Sequence, residues 1–335
     1  DVASYSGAQP VSWPRSDFFV AFFAEKVCCF ENWLYLCAVV MWLCTPPHQF
    51  NQLIMEIKLD HLTLQYKGAR TQALSDVSAL IGPGTWLLLG ENGAGKTTLL
   101  HTIAGLLQPT EGTCTIDGIP ASHRCPSIES RLTFLGDNMA FPARTVNEMI
   151  GCHAQFYPFF SRASLYANLS AFGLEGSEKL KSLSLGNRHK AQVAYMLALN
   201  TPLVLLDEPA NGLDIEARSS LRRMLIDASS PERTIIVSTH TISDFEKVYD
   251  GVIILNHGRL QLIATLDDIL SRVAFTVSGR RPETAIFSAL SGGQWHSIIS
   301  ADDTDTESDV DFELLYTALH CPQGEAILNL LTEIK

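Results

Sequence analysis

Gly90-Glu91-Asn92-Gly93-Ala94-Gly95-Lys96-Thr97 decides the fold. The stretch has the form G-x-x-x-x-G-K-[ST], a loop that holds phosphate between a strand and a helix. Its glycines let successive backbone N–H groups curl around phosphate oxygens where a β-carbon would obstruct. The flanks have the expected character. Trp86-Leu87-Leu88-Leu89 is a short apolar run that reads as a buried parallel strand. Thr98-Leu99-Leu100-His101-Thr102-Ile103 has a helical pattern, and the positive end of that helix faces the same anion. Lys96 is placed to reach the β- and γ-phosphates of a nucleotide, and the Thr97 hydroxyl to ligate Mg²⁺. The expected nucleotide contacts are Gly90, Glu91, Asn92, Gly93, Ala94, Gly95, Lys96, Thr97 and Thr98.

Further out, Val204-Leu205-Leu206-Asp207-Glu208 puts two carboxylates at the carboxyl end of a second buried strand. Ligands of open α/β sheets sit at that end. Asp207 is suited to hold Mg²⁺ through water, and Glu208 to take a proton from the water that attacks the γ-phosphate. Alone, the pair would read as often as two solvated acids; the phosphate loop in the same chain favours the chemical reading. Residues 55–64 alternate in polarity, as a half-buried strand does. Residues 73–80 form another strand candidate, ended by the turn Gly82-Pro83-Gly84, and 234–238 a further one. Residues 252–255 and 260–263 flank His257-Gly258, a hairpin pattern. Between about 139 and 180 the chain is helix-like and rich in aromatics, which predicts an inserted helical layer. Strands alternating with helices predict an α/β fold with a mainly parallel sheet.

A chain of 335 residues with 46% hydrophobic and 18% charged residues has the material for a substantial core. Its net charge of -12 argues against a nucleic-acid partner, since phosphate backbones favour a basic face. The eight cysteines include no C-x-x-C pair and read as thiols of a reducing compartment, not as a disulfide framework or zinc site. Residues 1–54 differ in texture. The apolar run from Trp33 to Cys44 falls short of the roughly 20 residues a spanning helix needs, and Pro46 and Pro47 end it. The segment reads as a surface helix, a poor anchor or sequence foreign to the natural protein, with Met55 a credible start. Near the other end, the acidic residues Asp302, Asp303, Asp305, Glu307, Asp309, Asp311 and Glu313 predict a solvated loop; a calcium loop would need a glycine and a regular ligand spacing.

From about Met55 to Asp268 the chain resembles the nucleotide-binding domain of ABC transporters. Ahead of the Asp-Glu strand that family carries a signature Leu-Ser-Gly-Gly-Gln; Leu183-Ser184-Leu185-Gly186-Asn187 stands at that spacing, with Ser184 and Gly186 matching. A literal Leu290-Ser291-Gly292-Gly293-Gln294 lies far beyond the other motifs and is rejected on position. Asn211-Gly212-Leu213-Asp214 resembles the D-loop and Ser238-Thr239-His240 the switch strand. Where the family has a glutamine after Leu132-Thr133-Phe134-Leu135-Gly136, this chain has Asp137. The segment from Phe156 to Leu174 most resembles bacterial multidrug-type exporter ATPases.

The resemblance implies a P-loop NTPase (RecA-like) core with an antiparallel β subdomain, an α-helical subdomain over about 139–190, and a C-terminal accessory region over 269–335. It implies ATP and Mg²⁺ as ligands. Tyr66 would stack on adenine, Asp137 would take a metal water, and His240 would bond the γ-phosphate and hold the attacking water. Ser184 and Gly186 would grip the nucleotide of a second ATPase subunit, in a homo- or heterodimer that communicates through Asp214. A separate transmembrane permease is the implied partner, contacted by the helical layer, with this chain peripheral on the cytoplasmic face of the cell membrane. Two other readings are a soluble ABC ATPase outside transport, and a poorly hydrolysing assembly switch suggested by Leu185, Asn187 and Asp137.

Overall fold

In the computed structural model the described residues are 54–332 apart from 137, 138, 140, 246, 247 and 304–307. The readings made on residues 1–53, Asp137, Asp305 and Glu307 lie outside them. The described residues fall within one unit, Pro47–Lys335.

Alternation in polarity produces the first sheet. In β1 (Ile57–Leu64) Ile57 and Leu59 are buried while Lys58 and Asp60 face solvent. It pairs antiparallel with β2 (Leu74–Ile81). Unbroken apolar sequence produces the second sheet, beginning with β3 (Gly84–Leu89), which leads through the phosphate loop into α1 (Lys96–Ile103). β4 (Glu111–Ile116) and the short β5 (Ile119–Pro120) complete the antiparallel sheet in the order β2-β1-β4-β5. After α2 (Pro126–Glu129), β6 (Leu132–Leu135) returns to the second sheet.

The predicted helical layer follows as α3 (Val146–Cys152) and α4 (Arg162–Ala171), and α5 (Leu185–Ala198) extends it beyond the expected bounds. Thr145, Ser161 and Ser184 cap the three helices with side-chain oxygens that accept a backbone N–H of the first turn. Then come β7 (Leu203–Asp207), α6 (Ile215–Ala228), β8 (Thr234–Thr239), β9 (Gly251–Asn256) and β10 (Arg259–Thr265). The sheet order is β10-β9-β3-β8-β7-β6, parallel except for the edge strand β10. The two-residue period of β7 divides its side chains between two cores. Val204 and Leu206 join the helices, whereas Leu203 and Leu205 join the antiparallel sheet. Every residue of β7 and β8 is buried, as a strand covered on both faces must be. No helix among the described residues is long and apolar enough to cross a membrane.

Beyond α7 (Leu266–Leu270) lies an antiparallel sheet of β11 (Val273–Ser278), β12 (Phe287–Ser291) and β13 (Gln294–Ser300) in the order β11-β13-β12. α8 (Phe312–Leu319) and α9 (Gly324–Thr332) close the described chain. Phe275, Phe287, Ile298, Phe312 and Leu315 belong to the same apolar cluster as Val204. The literal Leu-Ser-Gly-Gly-Gln is a hairpin turn: Ser291 pairs with Gln294 across Gly292 and Gly293, at φ +57° and +80°. Two consecutive left-handed residues are what a two-residue hairpin with matching twist requires. The acidic run is not wholly a loop. The Asp311 carboxylate caps α8 by accepting the Leu314 N–H at 2.9 Å, and Glu313 sits in its first turn. Acids at a helix start are stabilised by the unpaired N–H groups there, and this outweighs the loop tendency of the run.

Candidate active site

The phosphate loop is fixed by what surrounds it. Gly95, the residue capping α1, has φ +105°, and a β-carbon there would stand 2.6 Å from the Ala73 carbonyl oxygen. The turn between β9 and β10 braces the loop from beside it. Gly258 N–H donates to the Ala94 carbonyl at 3.0 Å, and the Gly258 carbonyl accepts the Ser75 N–H at 2.8 Å. The predicted hairpin thus ties the two sheets together at the site.

A cavity of about 490 Å³ opens at this point, lined by Tyr66, Ala73, Glu91, Asn92, Gly93, Gly95, Lys96, Thr97, Thr98, Asp207, Glu208, Asn211 and His240. Lys96 is buried, 6% exposed, and its Nζ donates to the carbonyls of Gly90 at 2.8 Å and Glu91 at 3.4 Å. The same ammonium lies 3.6 Å from Glu208 Oε1. The other oxygen of that carboxylate, Oε2, lies 2.8 Å from His240 Nδ1. An ionised carboxylate only accepts, so Nδ1–H is the donor and Nε2 is the second ring nitrogen offered to a ligand.

Asp207 and Glu208 meet β8 in register, Asp207 opposite Ser238. The Ser238 hydroxyl donates to Asp207 Oδ1 at 2.5 Å and accepts the Glu208 N–H at 2.9 Å. Glu208 has φ +50°, a left-handed conformation that costs a non-glycine residue energy and is held by its surroundings. Tyr66, 44% exposed, is tied at the cavity edge by a 3.1 Å hydrogen bond between its hydroxyl and that of Thr98.

Not every expected contact reaches the cavity. Gly90 and Ala94 are not among its lining residues. A β-carbon at Gly90 would press on the Leu255 carbonyl oxygen, and Ala94 packs in the core under the loop. Asn211 and Ala73 line it without having been expected as nucleotide contacts. Ser184, Gly186 and Asp214 also lie outside the cavity. Ser184 caps α5 by accepting the Asn187 N–H at 3.2 Å, and Asp214 caps α6 by accepting the Ala217 N–H at 2.8 Å. The two helix starts are neighbours: Lys190 Nζ reaches Asp214 Oδ2 at 2.8 Å, and a β-carbon on Gly186 would approach the Gly212 carbonyl oxygen to 3.1 Å. The hydrogen bond from Lys190 holds the Asp214 carboxyl below its ordinary pKa. Leu185 and Ile215, the first residues of these helices, are 79% and 86% exposed.

The Thr97 hydroxyl and the Asp207 carboxylate are hard oxygen donors in one cavity, which suits Mg²⁺. Among the described residues no group of three or more His, Cys, Asp or Glu could hold a metal. A cation here would draw its remaining ligands from water and phosphate, as Mg²⁺ does in nucleotide sites.

Residues 74–211 match the ABC transporter family. The ABC transporter ATP-binding protein NatA of Bacillus subtilis is 29% identical over 214 residues, 61% of this chain and 87% of NatA. YybJ of the same organism, described as an uncharacterized ABC transporter ATP-binding protein, is 30% identical over 207 residues, 61% of this chain and 94% of YybJ. Among solved structures, the dimeric post-hydrolysis state of the ATP-binding cassette MJ0796 bound to ADP and Pi has a TM-score of 0.55 at 25% identity, covering 63% of this chain and 98% of that one. A likeness that runs through nearly the whole of YybJ, with a matched segment that includes both the phosphate loop and the acids facing it, leaves one assignment: the chain belongs to the ABC transporter ATP-binding protein family and is an ATPase of that family.

Proposed function

We propose that the chain binds ATP with Mg²⁺ in the phosphate-loop cavity and hydrolyses it as one half of a dimer that drives a separate membrane-spanning permease. One observation carries the reading: Glu208, just past the end of β7, is held between Lys96 of the phosphate loop at 3.6 Å and His240 at 2.8 Å. Tyr66 stacks on the adenine. The loop N–H groups and Lys96 hold the β- and γ-phosphates. Thr97 and Asp207 would hold Mg²⁺, which would screen phosphate charge.

Glu208 accepts a proton from the water whose oxygen attacks the γ-phosphorus. The bond from that phosphorus to the β–γ bridging oxygen breaks, and ADP and phosphate result. Nδ1–H of His240 fixes the orientation of the carboxylate, and its Nε2 faces the water and the γ-phosphate. Ser184, Gly186 and Asp214, outside this chain's own cavity, act on the nucleotide of the partner subunit.

Residues 55–268 constitute the ATPase domain and 269–335 an accessory region. The helical layer carries the permease contact. A hollow of about 530 Å³, lined by Asn147, Tyr166, Ser170 and residues 173–177, supports that placement, and the chain is then peripheral on the inner face of the membrane. The exposed Leu185 side chain beside Ser184 favours a second reading, a slowly hydrolysing assembly switch.

Comparing phosphate release by the wild type and by Glu208→Gln tests both. Removing the base is expected to lower turnover by about 10²-fold or more while fluorescent-nucleotide affinity stays within about threefold. Wild-type turnover no faster than that of the variant would select the switch; loss of nucleotide affinity with the glutamine would refute the role of Glu208.

A further inference from the structure

The geometry points to Ser238 as the residue that positions both acids of the site; we infer that its hydroxyl is a clamp between β7 and β8 that the reaction depends on. Three observations carry this. Ser238 is fully buried at 0% exposure, so its hydroxyl has no water to turn to. Its oxygen serves two consecutive residues at once, donating to Asp207 Oδ1 at 2.5 Å and accepting from the Glu208 N–H at 2.9 Å. The residue it anchors is strained, with Glu208 at φ +50°, where the backbone stays only if its neighbours hold it. Hydroxyls on this strand are not placed this way by default: Thr234, at the far end of β8, has a buried hydroxyl oxygen without a hydrogen-bond partner.

β8 and the residue just after it therefore grip Glu208 at both ends. Ser238 holds its backbone N–H, and His240 holds its carboxylate. The same serine engages one oxygen of Asp207 with a hydrogen bond to a charged group, which restrains rotation of the carboxylate. Losing that hydroxyl frees Asp207 to turn and leaves the Glu208 turn supported by the Ser238 carbonyl, 3.2 Å from its N–H. Ser238 is not among the residues lining the cavity and is a positioning residue. The inference rests on the proposed roles of Asp207 and Glu208.

The test compares the wild type with Ser238→Ala, which removes the hydroxyl at little change of residue volume, and Ser238→Cys, which keeps the shape with a larger atom and a poor hydrogen-bond donor. Fluorescent-nucleotide affinity is measured in EDTA and across a Mg²⁺ titration, alongside kcat and KM for ATP. Both variants are expected to need about tenfold more Mg²⁺ for its full effect on nucleotide binding and to lose about tenfold in kcat, the worth of one hydrogen bond to a charged group. Affinity in EDTA stays within about twofold of the wild type, because the phosphate loop is untouched. A Ser238→Ala or Ser238→Cys protein that behaves as wild type would overturn the inference by showing that the hydroxyl's hydrogen bonds are dispensable. So would a fall in EDTA affinity as large as the fall in kcat. If the wild type itself hydrolyses no Mg²⁺–ATP, the proposed function fails, which is a different result from an active wild type matched by its variants.

Discussion

At Gly95 a single hydrogen atom in place of a side chain decides whether the phosphate loop closes. Its φ of +105° is costly for any L side chain, and a β-carbon would meet the Ala73 carbonyl oxygen at 2.6 Å. Gly93, at φ +86°, has nothing within 4 Å of the same position. Gly95→Ala therefore suffers strain of about 1–3 kcal/mol plus a backbone clash, whereas Gly93→Ala suffers the strain alone. Thermal denaturation with fluorescent-nucleotide titration should show Gly95→Ala losing both melting temperature and at least about tenfold in affinity, and Gly93→Ala losing less of each. Such residues were legible in the sequence because the loop is contiguous: one short run carries its glycines, its lysine and its hydroxyl together. Asp207 and Glu208, at and just past the end of β7, were legible for the same reason. Ser238 was visible as part of the switch strand, but its clamp on Asp207 and Glu208 was not. That contact is set by the register of two parallel strands separated by a helix, and strands buried on both faces show no alternation from which to read it.

Among the elements, the helical layer was foreseen from the aromatic-rich pattern over about 139–180, and the structure shows Phe141 of that stretch packing against an aromatic beyond it. Tyr195 of α5 is fully buried and packs edge-on to Phe141 at 5.2 Å between ring centroids. His153, just past α3, places Nδ1 3.0 Å from the Tyr195 hydroxyl. Burial pushes the His153 pKa down from 6.5 to about 4. The folded protein thus keeps this imidazole neutral through a range in which the unfolded chain would protonate it. Its contribution to stability is complete above pH 6.5 and is lost as pH falls towards 4, about 3 kcal/mol in all. Urea unfolding of the wild type and His153→Gln between pH 7 and 4 checks this: the stability difference between them should move against the wild type as pH falls. A difference independent of pH would place the neutral imidazole elsewhere. The C-terminal elements were less legible. Gly292 and Gly293 carried a five-letter match to a functional motif, yet their conformation serves a hairpin, and only position along the chain separated the two readings in advance.

For the whole molecule, the decisive fact is which predicted contacts the single chain leaves apart. Lys96, Glu208 and His240 converge, while Ser184, Gly186 and Asp214 stand together at the exposed starts of α5 and α6, outside the cavity. A site built from one chain would leave the second group without a ligand; a site shared between two chains would use both. Variants that each break one group separate these cases. Lys96→Ala removes the phosphate ligand, and Ser184→Ala removes the signature hydroxyl at a cap cost of about 1 kcal/mol. In a mixed dimer one site carries both lesions and the other carries neither. Random pairing of equal amounts makes half the dimers mixed, and half the sites in those dimers are intact. Mixing two inactive preparations should then recover about a quarter of wild-type turnover if the sites act independently. Recovery should scale with the mixed fraction when the ratio is varied. If the mixture stays as inactive as its components while size measurements show mixed dimers, the serine of one chain does not serve the nucleotide of the other. The proposal that the chain hydrolyses ATP as one half of a dimer would fall with it.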